Sequence, residues 1–555
     1  MLKQRIEEDL KKAVASLGFE ASDIVCSIPK NFQFGDYSTN VALQLAKQQS
    51  AISHQSSEEI ANKIVDRVQV TGGSKEYLEK TEVAGGGFIN FFIKDQILLE
   101  DLMNVVNISK AEKPKKIMLE YGHANILKEA HIGHLRTYVL GESLARILEF
   151  LGNNVYRANY QSDIGLNIAQ TIWGIEKLGW AEDTKFFGQA YVLGKKEYND
   201  SPEAKQEMDE INKALYLKDL KYEADYQKAR KLSLEYYEDV YKLLGISYDR
   251  LFFESEVAGS GKEIVLQADK IFQKSEGAII FPGEKYGLHN RVFINSAGNP
   301  TYEAKDMGLA KLQYESFPFD GAVHVVASEQ EGYFQVIFKA IELLFPELQG
   351  KERHLSYGMV KFKEGKMSSR TGEVISIDSL FAVVSEQVAK VMKEGKLEID
   401  QNTVRQVALG AMKFAYLKFS PGSDIVFNVE QSVSLQGDSG PYLQYTYARI
   451  QSVLKKSLSD PGDLSDPGDL EIEERALLRR LQYFAEVVKQ AGSVYHPNII
   501  SEYLLDLAKD FNLFYQKHRI IQSDKKELRL AIAAKVGEVL KNGLYLLGID
   551  SPERM

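Results

Sequence analysis

Two histidines three residues apart, His131 and His134, form the first pattern in the sequence that suggests chemistry. They follow KIMLEYGHAN, which reads as a strand and a loop. They also open HIGHLRTYVLGESLARILEF, whose apolar spacing predicts a helix. Unpaired backbone N–H groups and the helix dipole attract phosphate at such a helix start, and imidazole N–H groups can donate to developing negative charge. Gly133 leaves room for a nucleotide to approach the backbone. The motif therefore predicts a phosphate-binding site.

Two other interpretations of this histidine pair remain open. A zinc site needs further ligands, and the chain offers nine histidines, one cysteine and no second histidine pair nearby, so zinc is disfavoured. In the second interpretation, the two histidines only cap the helix. The pair alone does not exclude that role, because short motifs often occur by chance.

A second pattern, MVKFKEGKMSSRTGE, places basic and hydroxyl side chains in a loop between glycines. Such groups bind phosphate oxygens and would suit a departing pyrophosphate. A solvated basic loop is the alternative. The residues concerned are Lys366, Met367, Ser368, Ser369 and Arg370.

Length and composition limit the class of protein. With 555 residues the chain is too long for a single core, so two to four domains are expected. A net charge of -10 argues against coating nucleic acid by bulk charge, although a local basic surface stays possible. The lone Cys26 forms no internal disulfide and fits the cytoplasm. No apolar run approaches the length of a membrane span.

The elements that must position these motifs predict a multidomain α/β protein. Residues 1–110 read as a small α/β domain. In 111–380, apolar strands such as NVYRANY, GAIIFP, RVFINSAG and AVHVVAS alternate with helices, which predicts a Rossmann-type parallel sheet. A charged helical insertion covers about 180–250, and 381–555 reads as an all-α bundle. The tandem repeat LSDPGDLSDPGD at 458–469 reads as an exposed loop.

The two motifs in one α/β domain resemble the class I aminoacyl-tRNA synthetases, whose signatures are written HIGH and KMSKS. Four further features resemble the arginyl-tRNA synthetase family. Asn125 and Lys128 precede His131 in its Asn-x-x-Lys-x-x-His spacing, and NPTYEAKDMGLA contains its Tyr-x-x-x-Asp element. SLQGDSGPYLQYTYARI resembles the start of its helical anticodon domain. FGDYSTNVALQLAK and AGGGFIN resemble its N-terminal tRNA-contacting domain. The resemblance covers nearly the whole chain.

This resemblance implies a two-step reaction. L-arginine and ATP would give arginyl-adenylate and pyrophosphate, and the arginyl group would then pass to the terminal adenosine of tRNA-Arg with release of AMP. Mg²⁺ would arrive on the ATP, so no protein metal site is expected. The partners would be L-arginine and tRNA-Arg, without a membrane, and we expect a cytoplasmic monomer.

The resemblance also implies roles for individual residues. Charge at the phosphates would come from His131, His134, Lys128 and Lys366, and the ATP site would further include Gly133, Met367, Ser368, Ser369 and Arg370. A guanidinium is best held by carboxylates and a phenol oxygen. Its partners would be Tyr302 and Asp306, with Glu254 as a third. The other end of the arginine would contact Glu120, Asn125 and Gln330. The tRNA would contact Tyr442, Tyr445 and Arg449, with Tyr447 and Phe514 as further candidates. Most of these aromatic side chains could equally pack in the core.

Several alternatives stay open at this point. Ser369 stands where the second signature usually has a lysine, so either Lys128 or the loop could contact the leaving phosphates. Asp306 could instead cap a helix while Tyr302 packs in the core. The chain could also be another class I synthetase or a non-catalytic tRNA-binding paralogue. The cysteine enzyme is disfavoured because its zinc site needs cysteines that this chain lacks.

Overall fold

The structure is a computed structural model that describes most of the chain. It covers residues 2–555 except 21–22, 30, 50–54, 72, 182–183, 218, 363–374, 396, 398–399 and 458–467. The predicted phosphate-binding residues 366–370 and nearly all of the tandem repeat therefore lie outside the described residues.

The N-terminal part forms a three-stranded antiparallel sheet, β1-β3-β2, with helices beside it. Its elements are α1 (Leu2–Ser16), β1 (Tyr37–Thr39), α2 (Val41–Gln49), α3 (Ser57–Thr71), α4 (Ser74–Tyr77), β2 (Leu78–Ala84), β3 (Phe88–Ile93) and α5 (Asp95–Glu100).

The central part alternates strands and helices. Its elements are β4 (Lys116–Glu120), α6 (Ile132–Phe150), β5 (Asn154–Gln161), α7 (Leu166–Leu178), α8 (Thr184–Asp200), α9 (Pro202–Leu217), α10 (Leu220–Leu244), β6 (Arg250–Phe253), α11 (Glu254–Gln267), β7 (Gln273–Ser275), β8 (Ala278–Phe281), β9 (Arg291–Ile294), α12 (Tyr302–Ser316), β10 (Gly321–Ala327), α13 (Glu331–Leu344), β11 (Glu352–Tyr357) and β12 (Val360–Phe362).

The C-terminal part is helical apart from one short strand. Its elements are α14 (Ile377–Glu394), α15 (Gln401–Leu417), β13 (Ile425–Phe427), α16 (Val429–Ser432), α17 (Gly440–Ser457), α18 (Ile472–Gln482), α19 (Phe484–Val494), α20 (Asn498–Lys517) and α21 (Lys526–Leu546). No helix in the described ranges is long and apolar enough to cross a membrane.

The described residues group into two compact units. One unit draws on 1–107, 458–485 and 509–536, and the other on 108–457, 486–508 and 537–555. The domain boundaries predicted near residues 110 and 380 stay predictions.

A five-stranded parallel sheet is the centre of the second unit. Its strand order is β11-β10-β4-β5-β6, so the chain runs outward from β4 to β6 and then returns to the other side of β4. The direction of winding thus reverses between β4 and β10. Ligands of open α/β sheets bind at the carboxyl ends of the strands at such a reversal. The predicted fold class, with its parallel sheet and helical C-terminal part, is confirmed.

Two of the strands predicted for the parallel sheet lie elsewhere. GAIIFP and RVFINSAG supply β8 and β9, which pair with β7 in a separate antiparallel sheet. Glu276 and Gly277 between β7 and β8 both have positive φ, 48° and 79°, as a two-residue hairpin turn requires. That assignment to the parallel sheet was therefore wrong, because a tight hairpin joins antiparallel neighbours.

The predicted helical insertion corresponds to α8, α9 and α10. Asp219 caps α10 by accepting from the Lys221 backbone N–H, and Gly245 ends the helix in the left-handed conformation with φ 64°. These helices share a buried apolar cluster with α7 and with Ile126 and Leu127. The insertion is thereby packed directly against the loop that follows β4.

Candidate active site

A cavity of about 390 Å³ lies at the reversal point of the sheet. Residues from β4, α12, β10, α13 and β11 line it, and one face of α12 supplies residues 302, 306, 309, 310 and 313 at three- and four-residue spacing. Of the six residues predicted to bind arginine, the structure places four on its wall: Glu120, Tyr302, Asp306 and Gln330.

Asp306 lies on the cavity wall and is hydrogen-bonded to Tyr333 on α13. The Tyr333 hydroxyl donates to Asp306 Oδ2 at 2.6 Å and fixes that carboxyl group. Burial raises the pKa of Asp306 to about 8, although the hydrogen bond from Tyr333 opposes the change. A cationic group placed against Asp306 would stabilise its ionised form, so the cavity is suited to a cation.

Glu254 and Asn125 lie outside the cavity wall. Glu254 forms a buried ion pair with Lys305, the residue before Asp306, and both side chains are at most 5% exposed. Asn125 follows β4 and pairs by its backbone with Ser162. The structure thus pairs Glu254 with Lys305, while the Glu254 charge still acts on Tyr302 and Asp306 and contributes to raising the pKa of each.

The two signature histidines form a reciprocal cap at the start of α6. His131 Nδ1 accepts from the Gly133 backbone N–H at 3.0 Å, and His134 Nδ1 accepts from the His131 backbone N–H at 3.2 Å. A neutral imidazole that accepts at Nδ1 carries its proton on Nε2. Capping therefore does not exclude phosphate binding, because it leaves an Nε2–H donor on each ring.

Burial keeps both histidines neutral. It lowers the pKa of His131, with Lys128 adding to the effect, and it lowers the pKa of His134 further, with His131 beside it. The rings stack with their centroids 3.8 Å apart. A Cβ at Gly133 would lie 2.9 Å from His131 Cε1, so a larger residue there would displace the ring. The glycine is needed for the position of His131 itself.

Three hydroxyl groups on α10 hold the loop between β4 and α6. Ser233 accepts from the Leu127 N–H at 2.9 Å, and Tyr236 accepts from the Ala130 N–H at 3.1 Å. Tyr237 donates to the carbonyl oxygens of residues 125 and 128 at 3.1 and 2.9 Å. Their positions i, i+3 and i+4 place them on one helix face. The insertion therefore sets the backbone path into the histidine pair.

The segment before α14 is also joined to the histidine pair. Residue 131 forms an isolated antiparallel bridge with residue 376. The Ile132 N–H donates to the Ile375 carbonyl at 3.1 Å, and the Ile377 N–H donates to the Ala130 carbonyl at 2.9 Å. The Tyr236 hydroxyl also donates to Asp378 Oδ2 at 3.0 Å. Tyr236 thus joins α10, on which it lies, to the histidine loop and to the start of α14.

We predict that Tyr236→Phe speeds hydrogen exchange of the Ala130 amide about fivefold, since a lost hydrogen bond costs about 1 kcal/mol of local stability. Hydrogen exchange followed by mass spectrometry or NMR measures the effect. Tyr222→Phe is the matched control, because that hydroxyl on the same helix contacts Lys221 and not the loop. Unchanged exchange at Ala130 would show that Tyr236 does not hold this loop.

Lys128 points toward the helical insertion. Its ammonium lies 3.7 Å from the centroid of the Tyr191 ring on α8, a cation–π contact. The other predicted phosphate-binding cation, Lys366, is outside the described residues. Whether Lys128 or Lys366 contacts leaving phosphates therefore stays a prediction.

The residues predicted to bind tRNA share one face of α17. Tyr442, Tyr445 and Arg449 are half-buried, and the Arg449 guanidinium lies 4.8 Å from the Tyr445 ring centroid. Two further aromatic candidates in the C-terminal helices, Tyr447 and Phe514, are buried in the core. Tyr447 and Phe514 therefore pack in the core, as the alternative interpretation of these aromatic residues expected.

The sequence alone did not single out several residues of the cavity. Gln313 continues the face of α12 that begins with Tyr302, so helical spacing could have indicated it. His324 is a polar residue inside the apolar strand GAVHVVA, which is also a signal. Tyr333 and Glu352 carried no local signal, because only the tertiary fold brings them to the cavity.

Three protein families match the chain, and together they cover most of its length. The family described as tRNA synthetases class I (R), catalytic domain, matches residues 95–429. The DALR anticodon binding domain matches residues 443–555, and the arginyl tRNA synthetase N terminal domain matches residues 1–93.

Curated relatives and solved structures agree with these families. The arginine–tRNA ligase of Parabacteroides distasonis is 32% identical, with 86% of this chain and 89% of that protein covered. That of Phocaeicola vulgatus is 33% identical over 84% and 86%. The arginyl-tRNA synthetase of Thermus thermophilus superimposes with a TM-score of 0.83 at 26% identity, over 100% of both chains. The methionyl-tRNA synthetase of Mycobacterium tuberculosis shares the fold, with a TM-score of 0.51 at 14% identity.

Proposed function

The chain belongs to the arginine–tRNA ligase family of class I aminoacyl-tRNA synthetases, and we propose that it attaches L-arginine to tRNA-Arg at the expense of ATP. The observation that carries this proposal is the acidic cavity at the reversal point of the sheet, beside a helix start that presents two neutral histidines. The cavity suits a cationic amino acid and the helix start suits phosphate.

Arginine would span the cavity between two carboxyl groups. In this arrangement Asp306 and Tyr302 receive the guanidinium, and Glu120 with Gln330 holds the α-amino and carboxylate end. All four residues lie on the cavity wall. Because Glu254 is paired with Lys305, its contribution to the guanidinium site would be indirect. Asn125 would contribute from the loop after β4.

ATP would bind with its phosphates at the start of α6. The arginine carboxylate attacks the α-phosphate, the bond to the β-phosphate breaks, and pyrophosphate leaves. The Nε2–H groups of His131 and His134 would stabilise the charge that develops on the phosphate oxygens. Lys128 and Lys366 are the proposed contacts of the leaving phosphates. Mg²⁺ would arrive on the ATP, and the described residues contain no group of three or more His, Cys, Asp or Glu suited to a metal ion.

The second step requires tRNA-Arg. As membership of the class I family implies, the 2′-OH of the terminal adenosine would attack the carbonyl carbon of arginyl-adenylate, and AMP would leave. Tyr442, Tyr445 and Arg449 on α17 could stack on and grip unpaired bases. A monomeric state and a cytoplasmic location remain part of this proposal, and light scattering during size-exclusion chromatography would test the first of them.

A charging assay tests the proposed function. The protein is incubated with ATP, Mg²⁺, total tRNA and each of the twenty radiolabelled amino acids in turn. Acid-precipitable label with arginine alone is the expected result. Charging with another amino acid would indicate a different class I synthetase. No charging with any amino acid would favour a non-catalytic tRNA-binding paralogue.

We predict that arginine binds more tightly as the pH rises toward 8. In the free protein the Asp306 carboxyl is protonated below its pKa of about 8, and the guanidinium requires its ionised form. Binding below pH 8 must therefore release a proton, and linkage makes the dissociation constant fall by about tenfold between pH 6.5 and 7.5. Calorimetric titration in two buffers of different ionisation enthalpy measures both the affinity and the proton release.

The matched control for this pH dependence is Asp306→Asn. This variant should bind arginine weakly, and its dissociation constant should not change with pH over the same range, since an amide does not titrate. A flat profile in the wild-type protein, without proton release, would contradict the assignment of Asp306.

A further inference from the structure

A buried row of charged side chains forms one wall of the cavity. His324 lies on β10, next to Glu120 at the end of β4, and the two residues are directly paired in the register of the sheet. His324 Nδ1 is 2.9 Å from Glu120 Oε1, and His324 Nε2 is 2.7 Å from Glu352 Oε2 on β11. The three side chains are 8%, 4% and 3% exposed, respectively.

The geometry of this row makes His324 a cation. Each ring nitrogen faces a carboxylate oxygen, and an ionised carboxylate only accepts hydrogen bonds, so both ring nitrogens must donate. Burial alone would lower the pKa of His324, but Glu120 and Glu352 raise it well above its usual value. Burial would likewise raise the pKa of Glu120, but His324 lowers it to about 2. With both carboxylates ionised around a protonated His324, the row has a net charge of -1.

The same row fixes the position of the Glu120 carboxylate. Glu120 Oε1 accepts a hydrogen bond from His324 Nδ1, and Glu120 Oε2 accepts one from the Gln313 amide. Both oxygens therefore have a partner on a different element. Each oxygen keeps a lone pair for a further donor. Within the described ranges, Oε1 of Glu352 and of Gln313 have no hydrogen-bond partner, and both residues line the cavity. This wall is therefore rich in acceptors and carries one unbalanced negative charge.

Removing the positive charge would change the ionisation of the wall. Without it, two carboxylates would share a buried site, where burial and the like charge of the neighbour both disfavour the ionised form. One of them would take up a proton, and Glu120 would lose the charge or the orientation that a cationic ligand needs.

We propose that His324 is a positioning residue for the amino acid: held as a cation between Glu120 and Glu352, it keeps Glu120 ionised and oriented to receive the α-ammonium group of arginine. The inference rests on the proposed function, because the ammonium belongs to the proposed substrate. His324 acts through Glu120, and Glu352 acts through His324.

This role predicts selectivity between two ligands that differ only at the α-carbon. L-arginine has an α-ammonium group there, whereas argininic acid has a hydroxyl group and the same guanidinium. His324→Gln should weaken the binding of L-arginine about 30-fold or more, as removing one partner of a buried charged pair does. The same variant should weaken the binding of argininic acid less than about threefold, since that ligand brings no ammonium group to Glu120.

The experiment is calorimetric titration of both ligands into the wild-type protein and the variants. His354→Gln is the matched control, because His354 pairs with His324 in the register of β11 but instead stacks on Phe334 and contacts the Val326 carbonyl. The control should keep both affinities within about threefold of wild type. Circular dichroism checks that each variant is folded.

The outcomes separate this inference from the proposed function. Wild-type protein that binds no L-arginine would overturn both. Wild-type binding combined with an equal loss of both ligands in His324→Gln, or with no loss, would overturn the role of His324 alone. If His324→Gln fails to fold, Glu352→Gln replaces it. That variant keeps an acceptor for His324 but removes the charge that holds its proton, and it should show the same selective loss of L-arginine.

Discussion

Asp306→Asn raises the KM for arginine by at least about 100-fold, because removing one partner of a buried charged pair costs about 3–5 kcal/mol. The KM for ATP stays within about twofold of wild type, since Asp306 lines the arginine cavity and the two signature histidines do not. The amide can still accept the hydrogen bond from Tyr333, so the fold around it is retained.

Steady-state pyrophosphate exchange, with tRNA present, measures both constants. Glu315→Gln is the matched control, because Glu315 is an exposed carboxylate on the same helix that pairs only loosely with Lys311 at 4.0 Å. It should leave both constants unchanged. Equal increases in the KM for arginine and the KM for ATP in Asp306→Asn would contradict the assignment of Asp306 to the guanidinium.

His134→Ala slows adenylate formation about 100–1000-fold, the effect of losing one donor to developing oxyanion charge. The structure adds a second consequence. His134 Nδ1 accepts from the His131 N–H, so alanine also removes half of the cap of α6. That loss costs about 1 kcal/mol of stability and lowers the melting temperature.

His134→Gln separates the two roles of this histidine. Glutamine at the same helix position can restore the reciprocal cap, but its amide does not occupy the place of Nε2. We expect the melting temperature to recover while the rate stays low. Pyrophosphate exchange and thermal unfolding followed by circular dichroism provide the two measurements. Recovery of the rate together with stability would mean that His134 is only a cap.

Local patterns predicted the elements of the site well. The apolar spacing after His131 gave α6, and the strand pattern before it gave β4, because helix and strand periodicities are properties of the local sequence. The family resemblance rested on these same motifs, and the family is confirmed by the comparisons.

Contacts between distant segments could not be read in the same way. The pairing of His324 with Glu120 depends on the register of two parallel strands about two hundred residues apart, and a shift of one residue would turn His324 to the other face. The pairing of Glu254 with Lys305 is another example. The sequence indicated Glu254 as a guanidinium partner, but only the packing of α11 against α12 shows the lysine beside it. Charge alone does not indicate which partner a carboxylate will find.

The hairpin of β7 and β8 was missed for a different reason. Apolar strands in an α/β sequence favour a parallel sheet by their alternation with helices, and that rule outweighed the turn signal at Glu276 and Gly277. A two-residue turn that contains glycine is the stronger local evidence.

A crystal structure with a non-hydrolysable arginyl-adenylate analogue, an arginyl sulfamoyl adenosine, tests the whole site directly. The account predicts the guanidinium within hydrogen-bonding distance of Asp306 and the α-ammonium group on Glu120. The sulfamoyl oxygens should lie at the Nε2 atoms of His131 and His134. A guanidinium bound outside the Asp306 cavity, or a sulfamoyl group away from the start of α6, would contradict the account.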